Sequence, residues 1–182
     1  FAIKQDAIPG FINTAWTIVD KPGTYRGKCT ELCGKNHGFM PVVVKVVPQD
    51  EYDLWVAGKK EEALKMAELT EKTWSAEELV QRGEGIYQKN CVACHQSNGA
   101  GIAGIFPALA GSDIVLNNKA RHLEILMEGV QGAAMASYAN QLSEVDMAAV
   151  ITYTRRSWGN AENGDGEIVV PTDIVEYKKP KV

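Results

Sequence analysis

Four cysteines fall into two tight pairs, and a histidine follows closely behind each: Cys29-x3-Cys33-x3-His37 and Cys91-x2-Cys94-His95. The 182 residues contain three histidines, and two of them stand in these clusters. A disulfide scaffold scatters its cysteines among the short loops of a much smaller chain, so metal or cofactor binding is the chemistry both clusters point to. Cys91-Val-Ala-Cys94-His95 is a C-x-x-C-H motif, which reads as covalent attachment of haem c. The two thiols add to the vinyl groups, and the adjacent histidine is held under the iron. A redox dithiol would expect a βαβ setting, and a zinc site would want a further Cys/His pair nearby; the surrounding sequence offers neither.

Met/His ligation is usual for an electron-transfer cytochrome, so the second axial ligand is sought among Met127, Met135 and Met147. Met127 shares an apolar helix face with Leu123, Leu126 and Val130, and Met147 lies inside the final helix; both read as packing residues. Met135 sits in a loop among Gly132, Ala133, Ala134 and Ala136, where the backbone can approach a flat ring, and is the expected ligand. His122, in Lys-Ala-Arg-His, reads as an exposed helix residue rather than a second imidazole ligand. The first cluster, Cys29-Thr-Glu-Leu-Cys33-Gly-Lys-Asn-His37-Gly-Phe-Met40, offers two thiolates, an imidazole and a thioether in one loop. Such soft donors suit copper or zinc. The second thiolate allows two copper ions to be bridged, whereas zinc would find three of its four ligands; on donor chemistry copper is favoured and zinc stays open.

The elements that position these clusters follow from patterning. Phe11–Val19 alternates like a strand between Pro9-Gly10 and Asp20-Lys-Pro-Gly23 turn signals. Thr24–Lys28 and Val42–Val47 read as two more strands, the valine run as a buried one, with the first cluster on the loop between them. Residues 49–74, rich in Glu, Lys and Ala, predict one or two solvated connector helices. Ser75-Ala-Glu-Glu78 is a capping box opening a helix with Leu79, Val80, Gly83, Ile86 and Tyr87 on one face. That helix runs into the haem motif. A Gly/Ala loop from Gly99 to Gly111 follows, then a helix around Lys119–Gly129, a loop to Leu142, and a last helix over Ser143–Trp158. Acidic residues open that last helix and Arg155 and Arg156 close it, as the helix dipole favours. The tail holds a Gly164-Asp-Gly166 turn, a short Ile168–Val170 run and a Lys-rich end, and carries no functional signal.

Composition narrows the class. Apolar residues make up 45% and charged residues 23%, an ordinary globular balance. The net charge of −4 lies wholly in residues 75–182 and argues against a nucleic-acid binder. No uninterrupted apolar run of about 18 residues is present, so no membrane span is expected in the chain as it stands and it reads as soluble. No side chain pattern suggests a nucleophile or general base, so no catalytic residue is expected.

Two stretches resemble known families. Residues 76–160 resemble the class I cytochrome c fold, through Gly83-x3-Tyr87-x3-Cys91-x2-Cys94-His95, Phe106-Pro107-Ala-Leu109-Ala-Gly111, Met135 and Tyr153 in the last helix. This implies that Pro107 orients the axial histidine and that the first and last helices cross at Gly83 and Tyr87. Ala136 stands where that family often has proline. Residues 1–56 resemble the dinuclear copper (CuA) domain of cytochrome c oxidase subunit II, through Tyr25-Arg-Gly27, the Cys29–Met40 loop and Asp6-Ala-Ile-Pro9-Gly10-Phe11. This implies bridging Cys29 and Cys33, a terminal His37, a weak axial Met40 and a backbone carbonyl from Glu31.

The expected fold is therefore mixed and two-domain. A partial β cupredoxin-like domain (1–56) is followed by a helical linker (57–75), an all-α class I cytochrome c domain (76–160) and a tail (161–182). The whole resembles the fused subunit II of bacterial caa-type oxidases. The resemblance implies a non-catalytic electron-transfer subunit of a proton-translocating oxidoreductase complex. Its cofactors would be haem c and CuA, and its partners catalytic subunit I and a cytochrome c or other donor. The setting would be the bacterial cell membrane, with the domain facing the periplasm or cell exterior. The second copper histidine of that family has no counterpart here, and the chain opens at Phe1, so the natural protein is expected to be longer and membrane-anchored. A stand-alone c-type carrier with an empty or zinc-filled copper loop is the alternative. A nitrous oxide reductase shares the copper loop but needs many more histidines than three.

Overall fold

The computed structural model describes residues 1 and 3–179. By internal packing they divide into residues 1–62 and 63–182, the last three of which, in the Lys-rich end, lie outside the described residues.

In the first unit, Gly23–Lys28 (β1) and Pro41–Val46 (β2) pair antiparallel, from Gly23 opposite Val46 to Lys28 opposite Pro41. Among the described residues this two-stranded sheet is the only one. The strand expected over Phe11–Val19 does not form: the segment is without regular structure, and Ile12 and Trp16 are 95% and 86% exposed. A strand is defined by its ladder, and no partner edge reaches this one. The valine run is likewise not buried. Val42 is 54% exposed because no second layer covers the sheet. A single helix, Gln49–Glu71 (α1), occupies most of the expected connector, and none of its residues is buried.

The second unit is helical. Its first helix, Ala76–Asn90 (α2), starts at the expected capping box: Ser75 Oγ accepts from the Glu78 amide at 3.2 Å, and the Glu78 carboxylate accepts from the Ser75 amide at 2.9 Å. Lys72 donates to the same carboxylate; that hydrogen bond, followed by the one from the Ser75 amide, holds Glu78 below the usual carboxylate range. One turn, Val92–His95 (α3), follows, then Asp113–Asn117 (α4), Lys119–Glu128 (α5) and Glu144–Arg156 (α6). Ser143 caps α6 by accepting from the Asp146 amide at 3.1 Å. Asp146 also binds Arg82 of α2 at 2.7 Å, which ties the two helix starts together.

Helices α2 and α6 form the most extensive pair, with Leu79, Gly83 and Tyr87 buried on one side and Met147, Ile151 and Tyr153 on the other. Tyr87, Tyr153 and Trp158 make a three-ring cluster with centroids 5.1–5.5 Å apart, favourable tilted and edge geometries. The tail does more than its sequence suggests. It forms Asn160–Asn163 (α7) and Pro171–Lys178 (α8), and buries Val169 and Ile174 completely. Arg155, 4% exposed, donates to the carbonyls of Val115 and Glu167 and to the Asp165 carboxylate, so the buried guanidinium is both paired and hydrogen-bonded.

Thr152 fastens this tail. Its buried hydroxyl donates to the Val169 carbonyl and accepts from the Val169 amide, each at 2.9 Å. Thr152→Val keeps the shape but leaves two buried backbone groups unpaired, at a cost of about 1–3 kcal/mol. The guanidinium midpoint of the variant against the unchanged chain is the measurement, and an unchanged midpoint would show that the tail is not held this way.

Candidate metal centres

The second cluster sits at the end of α2. The Cys91 amide donates to the Tyr87 carbonyl at 2.9 Å, and α3 then presents Cys94 and His95 within a single turn. The following loop doubles back on this turn: the Gly101 amide donates to the His95 carbonyl at 3.0 Å, and the Leu109 amide to the Gly99 carbonyl at 2.7 Å. Gly101 (φ +65°) makes the fold-back possible, since a Cβ there would lie 2.4 Å from the Phe106 carbonyl oxygen and 2.5 Å from that of Pro107. The consequence is a contact of 2.9 Å between His95 Nδ1 and the Pro107 carbonyl. A carbonyl only accepts, so Nδ1 carries the proton and Nε2 keeps its lone pair for a metal.

Cys91, Cys94, His95, Pro107 and Met135 all line one cavity of about 320 Å³, whose other walls are mostly apolar side chains from the 105–115 segment, α5, the 130–138 loop and α6. Met135 is set on that wall by its loop: its carbonyl accepts from the Val130 amide at 2.9 Å, and the Tyr138 amide donates to the Leu126 carbonyl at 2.9 Å. Met127 and Met147, in contrast, are core residues at 7% and 0% exposure. Burial first, and then Cys94, push the Cys91 thiol up to about 11. An apolar cavity carrying two thiols, an imidazole with a fixed tautomer and a thioether fits a covalently attached haem.

One expectation about this site is corrected. His122 is not an exposed helix residue: it is half-buried, its ring lines the same cavity, and its Nδ1 is buried with no hydrogen-bond partner among the described residues. The flanking Lys119 and Arg121 obscure this in the sequence. Its spacing of three and four residues to Ile125 and Leu126, which also line the cavity, is the signal that places it there.

The first cluster occupies the loop between β1 and β2, and the Cys29 amide clasps its base by donating to the Met40 carbonyl at 3.1 Å. Inside it, Cys29 Sγ and Cys33 Sγ lie 3.5 Å apart, Cys33 Sγ is 3.7 Å from His37 Nδ1, and the Cys33 thiol points at Met40 Sδ at 3.1 Å. The Cys29 thiol donates to the Glu31 carbonyl at 3.1 Å. The ligand atoms of Cys29, Cys33 and His37 all fall within 4.8 Å of one another, the one such cluster among the described residues. The Cys33 thiol is pushed up, chiefly by its hydrogen bond with Cys29 and then by burial and the Cys29 charge. A bound cation reverses that bias, because thiolates are the form that ligates. The Cys29, Cys33 and His37 donors fit a soft metal, with Met40 Sδ beside Cys33 and the Glu31 carbonyl beside Cys29.

Fold and sites together define a class: a chain in which a sulfur-rich loop fit for a soft metal precedes a helical domain whose apolar cavity is fit for a haem. Residues 1–47 match the family described as cytochrome C oxidase subunit II, periplasmic domain, and residues 77–153 match cytochrome C oxidase, cbb3-type, subunit III. The two matches lie in tandem along the chain, the subunit II periplasmic domain first. The chain is 35% identical over 162 residues to cytochrome c oxidase subunit 2 of Alkalihalophilus pseudofirmus, an alignment covering 84% of this chain and 44% of the relative. It is 52% identical over 61 residues to the probable cytochrome c oxidase subunit 2 of Rickettsia felis, covering 34% of this chain and 19% of that protein. The chain thus spans less than half the length of either relative.

Proposed function

We propose that this chain is the electron-input segment of a bacterial respiratory cytochrome c oxidase, taking electrons from a cytochrome c or another donor at haem c and delivering them through a dinuclear copper centre to catalytic subunit I. The observation that carries the reading is the convergence of Cys91, Cys94, His95 and Met135 on one cavity, in the same chain as a loop that gathers Cys29, Cys33, His37 and Met40. When bound, haem and copper supply one-electron chemistry, and neither site contains a group placed for chemistry on a substrate.

The protein's own residues hold and insulate. Cys91 and Cys94 would tether the haem and His95 and Met135 would ligate its iron, while the Pro107 carbonyl fixes the imidazole so that ligation would change little with oxidation state. Met/His ligation and the apolar walls raise the potential. In the copper loop, Cys29, Cys33 and His37 would hold the copper, with Met40 as a weak ligand and the Glu31 carbonyl as the backbone one. The second imidazole comes from outside these residues. We place residues 1–56 in a cupredoxin domain and 76–160 in a class I cytochrome c domain. The assembly sits at the cell membrane with both domains on the periplasmic or outer side; among the described residues no helix is long and apolar enough to cross a membrane.

The test uses the natural full-length protein, loaded with haem and copper. Two copper ions per haem iron and a mixed-valence copper signal are expected, and Cys33→Ser should abolish that signal while leaving the haem spectrum intact. A signal that survives Cys33→Ser would sink the dinuclear assignment. Full iron with no copper would leave a plain c-type carrier.

A further inference from the structure

The polar side chains on the haem cavity wall are almost all committed elsewhere. Thr154 Oγ1 donates back into its own helix at 2.9 Å, the Tyr138 hydroxyl donates to the Asn90 carbonyl at 3.1 Å, and Asn90 Nδ2 donates to the Ile86 carbonyl at 2.9 Å. His122 is different. Its imidazole lines the cavity from the first turn of α5, yet no group of the protein hydrogen-bonds its buried Nδ1. A buried polar nitrogen left unpaired is unfavourable, and such groups in folded proteins take a partner from a ligand or water when the protein offers none. Ser112, which lines the same cavity at the start of α4, makes no cap hydrogen bond with its side chain either.

The chemistry of the missing partner is constrained. Burial first, and then the positive charge of Arg155, push His122 down to about 4. The ring is therefore neutral at physiological pH, with one N–H to donate, and a carboxylate is a strong acceptor for it. The periphery of a haem is hydrocarbon except for its two propionate carboxylates, so these are the only hydrogen-bond acceptors that a haem carries into this cavity.

We infer that His122 binds a haem propionate, its imidazole donating a hydrogen bond to the carboxylate and so fixing how the haem is seated in the cavity. The inference rests on the haem reading of the cavity. It gives α5 a direct role in holding the cofactor, alongside Cys91, Cys94, His95 and Met135.

The experiment compares the haem-loaded full chain with His122→Phe and His122→Gln. Covalent haem per chain, from intact mass and the denatured haemochrome spectrum, comes first, and a wild-type chain that takes up no haem overturns the haem reading itself. With haem attached, resonance Raman should show the propionate bending bands shifted in His122→Phe and moved back toward wild type in His122→Gln, with the sulfur–iron charge-transfer band intact in both. The midpoint potential of His122→Phe should fall, because an uncompensated carboxylate favours the ferric form. Propionate bands unchanged in both variants would overturn the inference, as would loss of an axial-ligand signature instead, which would make His122 an iron ligand. Where His122→Phe fails to load, the wild-type chain decides by nitrogen-edited NMR. A slowly exchanging His122 ring proton with contacts to propionate methylene protons is expected; a ring proton in free exchange with water would overturn the inference.

Discussion

Replacing Met135 with alanine is expected to remove the sulfur–iron charge-transfer band of the ferric protein and to lower the haem midpoint potential on the order of 0.1 V, a fraction of the ~0.8 V span that axial ligands control. The haem should remain attached, since Cys91 and Cys94 lie on a separate segment held by the hydrogen bonds of α2 and α3. The effect is large because no other methionine can substitute. Met127 and Met147 are packed into the core on α5 and α6 and cannot reach the cavity without unfolding their helices. The loop that carries Met135 is also pinned independently of the thioether, through the Val130 amide on the Met135 carbonyl and the Tyr138 amide on the Leu126 carbonyl, so the substitution removes a ligand and leaves the loop in place. Optical spectra and potentiometry of the variant check this. A charge-transfer band that persists would assign the sixth position to another residue.

Gly83→Ala is expected to be the most damaging single-methyl change in the helical unit. In an isolated helix the substitution would favour folding by roughly 0.5–1 kcal/mol, because glycine is a poor helix former. Here the new Cβ would lie 2.1 Å from the Ala149 carbonyl oxygen, 2.6 Å from its carbon and 2.7 Å from Tyr153 Cβ. Two of those atoms are backbone, so no rotamer change relieves the clash and α2 must move away from α6. Overpacking of this kind costs about 1–3 kcal/mol and sometimes more; backbone contacts this close put Gly83→Ala at the upper end, a Tm lower by roughly 10 °C for a unit of this size. Thermal unfolding of the haem-loaded chain, followed by circular dichroism and by the haem band, provides the measurement. A variant as stable as wild type would mean that the helices do not cross this closely at Gly83.

What the sequence made legible was local. The Ser75–Glu78 capping box, the C-x-x-C-H turn and the cysteine loop are each written within a few neighbouring residues, and each is seen in the structure where the spacing placed it. What it concealed depended on partners far along the chain. Phe11–Val19 has the alternation of a strand, but alternation records which side chains share a face and not whether an edge is present to pair with it. Val42, Val43 and Val44 look buried because valine runs usually are; burial needs a covering layer, and the pattern of one strand cannot supply it. The helix α8 was hidden by its mixed composition, although Pro171 at its first turn and Asp173 two residues later are an ordinary helix start. His122 was misjudged from its charged neighbours, when its register with Ile125 and Leu126 was the better guide.

The crossing of α2 and α6 also dictates an order of events during biosynthesis. The Arg82–Asp146 pair that joins the helix starts spans 64 residues of chain, and the tail that completes the core comes later still. Contacts so distant in sequence form slowly, and none can form before α6 has been synthesised. Cys91, Cys94 and His95 therefore leave the ribosome on a helix whose packing partner does not yet exist. Through that interval Leu79 and Tyr87 of α2, fully buried in the folded unit, have no opposing helix to bury them. Packing of α6 over Tyr87 ends that interval, so the first half of the helical unit waits on its second half to fold.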